Sequence, residues 1–188
     1  DLPVGEPCGL IHLRIQAGIP LYWLDLEAEA TATLFDVDQF LREIWLECCG
    51  HMSAFHLSGT EYQVYVGEPF GYLQEQRDME VELLEVLRPG LEFEYTYDFG
   101  TPTRLQLRMV GAREGIPESP LTLLARNDPP VWPCGLCAQP ATKLCSLCLA
   151  EGMTAFWCAE HWREHACGDE ALLKVTNSPR MGVCGYEG

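Results

Sequence analysis

Alternation of apolar and polar positions dominates the first two thirds of the chain. Ile11, Leu13 and Ile15 alternate with His12, Arg14 and Gln16, the period of two expected of a strand buried on one face. Gly18-Ile19-Pro20 turns the chain. Leu24, Leu26, Ala28 and Ala30 then alternate with Asp25, Glu27 and Glu29 as a second strand, the hairpin partner of the first. At Asp36 the period changes. Asp36 followed by Gln39 reads as a capping box, and Val37, Phe40, Leu41, Ile44, Trp45 and Cys48 recur at helical spacing until Gly50 ends the helix.

Further on, Tyr62, Val64 and Val66 predict another strand, and Val81, Leu84 and Leu87 a short helix stopped by Pro89-Gly90. The clearest strand sets Leu91, Phe93, Tyr95 and Tyr97 on one face and Glu92, Glu94, Thr96 and Asp98 on the other. Across a turn near Gly100–Pro102, Leu105, Leu107 and Met109 alternate with Arg104, Gln106 and Arg108. A hairpin here brings Glu92 and Glu94 near Arg104 and Arg108. Such exposed pairs contribute only about 0.2–1 kcal/mol each, so they tune register while the core holds the fold. The fold class expected is α+β, a mixed or antiparallel sheet with packed helices, followed by a small module of different composition.

Composition sharpens this division. A hydrophobic content of 47% in 188 residues suits one ordinary domain plus a small appendage. Residues 1–126 form the α+β domain, and residues 127–133 (Asn-Asp-Pro-Pro-Val-Trp-Pro) a stiff joint. Residues 134–170 are the cysteine-rich module, and 171–188 a tail that docks on the body through Met181, Val183, Cys184 and Tyr186. No run of about 18 apolar residues marks a membrane span, and the start at Asp1 carries no signal-peptide pattern. The net charge is −16, with 22 acids against 8 bases in residues 1–130 and 6 against 4 in residues 131–188. Phosphate binding relies on lysine and arginine, so nucleic acid is disfavoured as a partner, and a basic protein is favoured.

Cysteine usage carries the chemistry. Six of the ten cysteines fall between 134 and 167, spaced as Cys134-x2-Cys137, Cys145-x2-Cys148, Cys158-x2-His161 and His165-x-Cys167. A two-residue spacer lets one tight turn aim both side chains at a single ion, and thiolate with imidazole suits borderline-soft zinc. Eight ligands suffice for two closed tetrahedral zinc sites. The few large apolar residues nearby (Leu144, Leu147, Phe156, Trp157, Trp162) cannot fold the segment alone, so metal supplies what is missing. Reduced cysteines of this kind place the protein in the cytoplasm.

The ligand order, with "FWCAEHWREHAC" at its end, resembles the MYND-type zinc finger. That resemblance implies Cys134, Cys137, Cys158 and His161 on one zinc, and Cys145, Cys148, His165 and Cys167 on the other. It also implies protein–protein contacts, often with proline-rich peptides. Here the third pair is Cys-x2-His where that family usually has Cys-x3-Cys, and the last is His-x-Cys in place of His-x3-Cys. Sequential ligation, the first four residues on one ion and the last four on the other, stays open.

"YTYDFG" at 95–100 after "LRPGLEFE", with "TLFDVDQFLREIWLECCGHMSAFHLSG" at 33–59, resembles the plasmid pRiA4b ORF-3-like family, also labelled IS-element passenger TnpR-like. The likeness spans roughly residues 10–115 and implies an α+β domain, with no activity established for the family. Where many members continue Asp-x-Trp-x-His, this chain has Thr101, Pro102, Thr103 and Arg104.

Two functional readings follow. The first is a zinc-stabilised adaptor that binds another protein without catalysis. The second is an enzyme using Cys48, Cys49, His51 and His56, where an imidazole would activate a thiol, or using a zinc with an incomplete ligand set. The acidic surface weighs against a reactive thiolate, and the first reading is favoured.

Overall fold

The computed structural model describes residues 8–18, 21–64 and 75–188. The chain divides into two compact units. The first holds the chain up to Glu43 together with His51–Asn127, and the second holds Ile44–Gly50 with Asp128–Gly188. The expected 1–126 domain thus lacks residues 44–50, which group with the C-terminal part.

In the first unit the alternating segments form one eight-stranded mixed sheet. Its strands are β1 (Cys8–Ala17), β2 (Trp23–Glu29), β3 (Ser53–Leu57), β4 (Thr60–Gln63), β5 (Glu75–Asp78), β6 (Glu92–Tyr97), β7 (Thr103–Gly115) and β8 (Leu121–Arg126). They lie in the order β5-β4-β3-β6-β7-β1-β2-β8. Every neighbouring pair is antiparallel except β4 with β5. The register explains the alternation. Leu24 pairs with Ile15, Ile15 with Leu107 and Leu107 with Phe93, so one buried row crosses four strands. A second row runs Leu105, Tyr95, Phe55, Tyr62. All eight of these side chains are buried, each contributing roughly 1.5–3 kcal/mol for an aliphatic or aromatic group taken wholly from water.

Helix α1 (Leu34–Leu41) adds Leu34, Val37 and Leu41 to the buried set. Its cap differs from expectation. Thr33 is the N-cap, its hydroxyl accepting from the Asp36 backbone N–H while Asp36 accepts from the Thr33 N–H at 2.7 Å. Asp36 is therefore the closing residue of the box, the third of the helix. The helix continues as a π-helical turn, Arg42–Leu46. Helix α2 (Leu83–Val86) is a single turn that buries Leu83 and leaves Leu84 exposed. Val64 lies beyond β4 and is half exposed, and Val66 falls outside the described residues. On the outer face of the β6–β7 hairpin Glu92 stands opposite Arg108, whereas Glu94 faces Gln106, which donates to it at 2.6 Å.

A carboxylate sits inside this unit. Asp38 is wholly buried, where an unpaired charge would be very costly. It accepts from the Ser53 and Tyr95 hydroxyls, both at 2.6 Å, and from the Arg42 Nε at 2.7 Å. Arg42 in turn donates to the His51 carbonyl and lies over the Tyr97 ring. Burial, reinforced by the Asp38 charge, pushes the Tyr95 phenol well above its ordinary range, so it stays a donor.

The second unit carries a three-stranded sheet, β10 (Phe156–Trp157), β9 (Lys143–Cys145) and β11 (Leu172–Lys174), with helix α3 (Ser146–Ala150). Its small core gathers Leu144, Cys145, Cys148, Ala155, Trp157, Ala171 and Leu172. Residues 171–174 thus belong to the module, and the tail proper begins after them. The proline-rich joint is tied at both ends. Asn127 exchanges hydrogen bonds with Trp23 in the first unit. In the second, Trp132 stacks on Phe156 at 4.7 Å and Pro133 bridges to Pro140.

Candidate metal centres

Four turns position the cysteine and histidine side chains. The Cys134–Cys137 turn closes with the Ala138 N–H donating to the Cys134 carbonyl, and Ala138 takes a left-handed φ of 58°. The Cys145 turn opens α3, its sulfur accepting the Cys148 N–H at 3.4 Å. Cys158 follows β10 directly, and His161 opens a short 3-10 turn three residues later.

These turns bring the candidates together in two groups. Cys134, Cys137, Cys158 and His161 place one ligating atom each within 4.8 Å of all the others. Cys145, Cys148, His165 and Cys167 do the same. The grouping is interleaved, first pair with third and second with fourth. In the first group Cys137 and Cys158 sulfurs are 3.7 Å apart, and His161 Nδ1 stands 3.6 Å from Cys134 and 3.3 Å from Cys158. In the second, Cys148 lies 3.7 Å from Cys167 and 3.5 Å from His165 Nε2. The His165 ring also rests against Trp157.

The backbone favours charge at several of these sulfurs. For Cys134 desolvation opposes ionisation, yet hydrogen bonds from the backbone of Leu136, Cys158 and Cys137, and from His161, outweigh it and bring the thiol down to about 6. At Cys145 desolvation is likewise outweighed, by the Cys148 N–H and by His165, and the thiol falls to about 7. Cys158 is lowered by the N–H groups of His161 and Glu160. Cys148 moves the other way, to about 12, through desolvation and its neighbours Cys145 and Cys167. Thiolates crowded together in this way repel one another unless a cation lies between them. Both groups could therefore hold a metal ion.

The catalytic candidates behave differently. His51 meets the Tyr97 ring edge-on and stands 3.6 Å from Asp98. His56 stands 3.5 Å from Glu61 and lines an open polar cleft of about 600 Å³ with Glu94, Phe99 and Arg104. Both histidines belong to the first unit, while Cys48 and Cys49 belong to the second. There Cys49 approaches Cys184, at 3.7 Å between sulfurs, and Cys48 accepts from Arg180. Cys184 is therefore placed apart from both tetrads.

The "YTYDFG" segment is structural in what it touches. Tyr95 braces Asp38, and Asp98, at a φ of 65°, accepts from the Gly100 and Thr101 N–H groups to close the β6–β7 turn. Sequence reasoning missed Asp38 and Arg180. Asp38 sits among polar helix positions, and Arg180 lies in a turn-rich stretch with no periodicity, so neither carried a burial signal.

No protein-family model matches the chain, and no curated protein matches it. Among solved structures, a protein of unknown function from Methanosarcina mazei Go1 matches with a TM-score of 0.54 and 16% identity. The match covers 63% of this chain and 68% of that one. Likeness at this identity speaks to the fold alone. Among the described residues no helix is long and apolar enough to cross a membrane.

Proposed function

We propose that the chain is a zinc-stabilised adaptor, in which the C-terminal module binds two structural zinc ions and presents a surface to a protein partner. The separation of the donor atoms carries this reading. Zinc held tetrahedrally, with sulfur at about 2.3 Å and nitrogen at about 2.0–2.1 Å, requires S···S edges of about 3.8 Å and S···N edges of about 3.5 Å. Edges of 3.7 Å between sulfurs and 3.3–3.6 Å from sulfur to imidazole match those values. Each group supplies three cysteines and one histidine, a complete set with no position left for water, which is the pattern of a structural and not a catalytic zinc. The interleaved grouping agrees with the resemblance to a MYND-type finger, and the first unit is assigned by resemblance to the pRiA4b ORF-3-like family. Thiolate ligands also suit a reducing compartment such as the cytoplasm.

A partner surface is argued from exposure and charge. Val131, Leu136, Leu147 and Met153 are each more than half exposed in the second unit, and large apolar side chains left in water are what a partner surface would use. The acidic first unit favours a basic partner, and the finger resemblance a proline-rich one. The test is affinity capture with the wild-type chain and a Leu136→Ser/Leu147→Ser variant. The variant should keep two zinc ions and lose its partner. Equal recovery of partners by both, or by metal-loaded and chelated wild type, would sink the adaptor role.

A further inference from the structure

We propose that Cys48, Cys49 and Cys184 form a third metal site in the second unit, their three thiolates holding one zinc ion. The site is independent of the two tetrads and does not rest on their assignment. Its three sulfurs lie within 4.8 Å of one another, and the Cys49–Cys184 separation of 3.7 Å equals the S···S edges within both tetrads. None of the three is in a disulfide.

The convergence is built by the fold and is not a chance approach of loose thiols. Cys184 stands at a φ of 52°, a left-handed conformation that a residue with a Cβ adopts only when its surroundings impose it. The turn that imposes it is seated firmly. At Gly182, φ is 83°, and an added Cβ would meet Leu149 Cδ2 at 2.7 Å. Upstream, the buried Ser178 hydroxyl donates to the Trp45 carbonyl at 2.5 Å and accepts the Arg180 N–H at 2.8 Å, fixing the tail against the 44–50 segment.

Charge is also provided for. Three thiolates around a divalent ion carry one net negative charge, which a neighbouring cation offsets. Arg180, wholly buried, donates to the Cys48 sulfur at 3.7 Å and supplies the compensating cation. A disulfide is the competing use of these sulfurs. It would need Cys49 and Cys184 to close from 3.7 Å to about 2.05 Å. Exposure of Cys49 and Cys184 makes this the site that exchanges its ion most readily.

The experiment is zinc content per chain, in reducing buffer after equilibration with zinc sulfate and desalting. It compares the full chain with a Cys184→Ser variant and with a Cys48→Ser/Cys49→Ser/Cys184→Ser variant. Wild type should hold one ion more than either variant, three against two. After cobalt substitution the thiolate charge-transfer absorption should fall by about one third. Cys184→Ser changes one exposed turn residue, so its fold can be verified by circular dichroism even if the triple variant is unstable. Equal zinc content in wild type and both variants would overturn the site, as would a Cys49–Cys184 disulfide persisting in that buffer. The difference between wild type and variant reports the third site, whereas the ions retained by the variant report the tetrads, so either can fail alone.

Discussion

Asp38 and Tyr95 illustrate how one buried polar group is stabilised by several donors at once. Removing the phenol in Tyr95→Phe takes one of several donors from a carboxylate with no access to water, and should destabilise the first unit by about 1–3 kcal/mol. Urea denaturation of the two chains measures it. The raised Tyr95 phenol adds a pH signature. The folded state holds this proton more tightly than the unfolded chain, whose tyrosine ionises near pH 10. Its contribution is therefore complete below about pH 10 and is lost as the pH rises through the higher folded value. Wild type should lose stability more steeply than Tyr95→Phe above that point. Parallel slopes would contradict the assignment. Gly182 is the second informative residue. Gly182→Ala meets both a positive φ and Leu149, and should lower the melting temperature of the second unit without altering any of the eight residues of the two tetrads.

At the scale of elements, the capping box that opens α1 is directly testable. Thr33→Ala removes the hydroxyl that receives the Asp36 N–H and should cost about 0.5–2 kcal/mol, read as a shift in the thermal midpoint. The same helix shows where sequence reading succeeds and where it stops. Strands β1, β2, β6 and β7 were legible because one-faced burial forces a period of two that no loop mimics. The cap was displaced because Asp36 can serve as either end of a box, and only the backbone settles that Thr33 leads. Residues 44–50 were illegible for a different reason. Ile44, Trp45 and Cys48 continue the apolar spacing of α1, and that spacing reads the same whether the residues pack on the sheet or join the second unit.

The whole molecule pairs a sheet that buries its own core with a module whose core is small and whose thiolates crowd. The eight cysteine and histidine side chains that gather in two groups were legible as candidates, because pair spacing is a local property of turns. Which pairs meet was not derivable from spacing, since either arrangement satisfies every turn. Cys184 reads from the sequence as a docking residue, but its sulfur partners, over 130 residues away, were not readable from spacing. Removing metal should act on the two units unequally. A strong chelator should abolish the near-ultraviolet signal of the stacked Trp132 and of Trp157 while the sheet's far-ultraviolet signal persists. Paired substitutions address the interleaved tetrads most directly. Zinc per chain should fall by one ion in Cys134→Ser/Cys158→Ser, whose residues share a group, and by two in Cys134→Ser/Cys145→Ser, whose residues do not. The reverse, two ions lost from the first variant and one from the second, would contradict it.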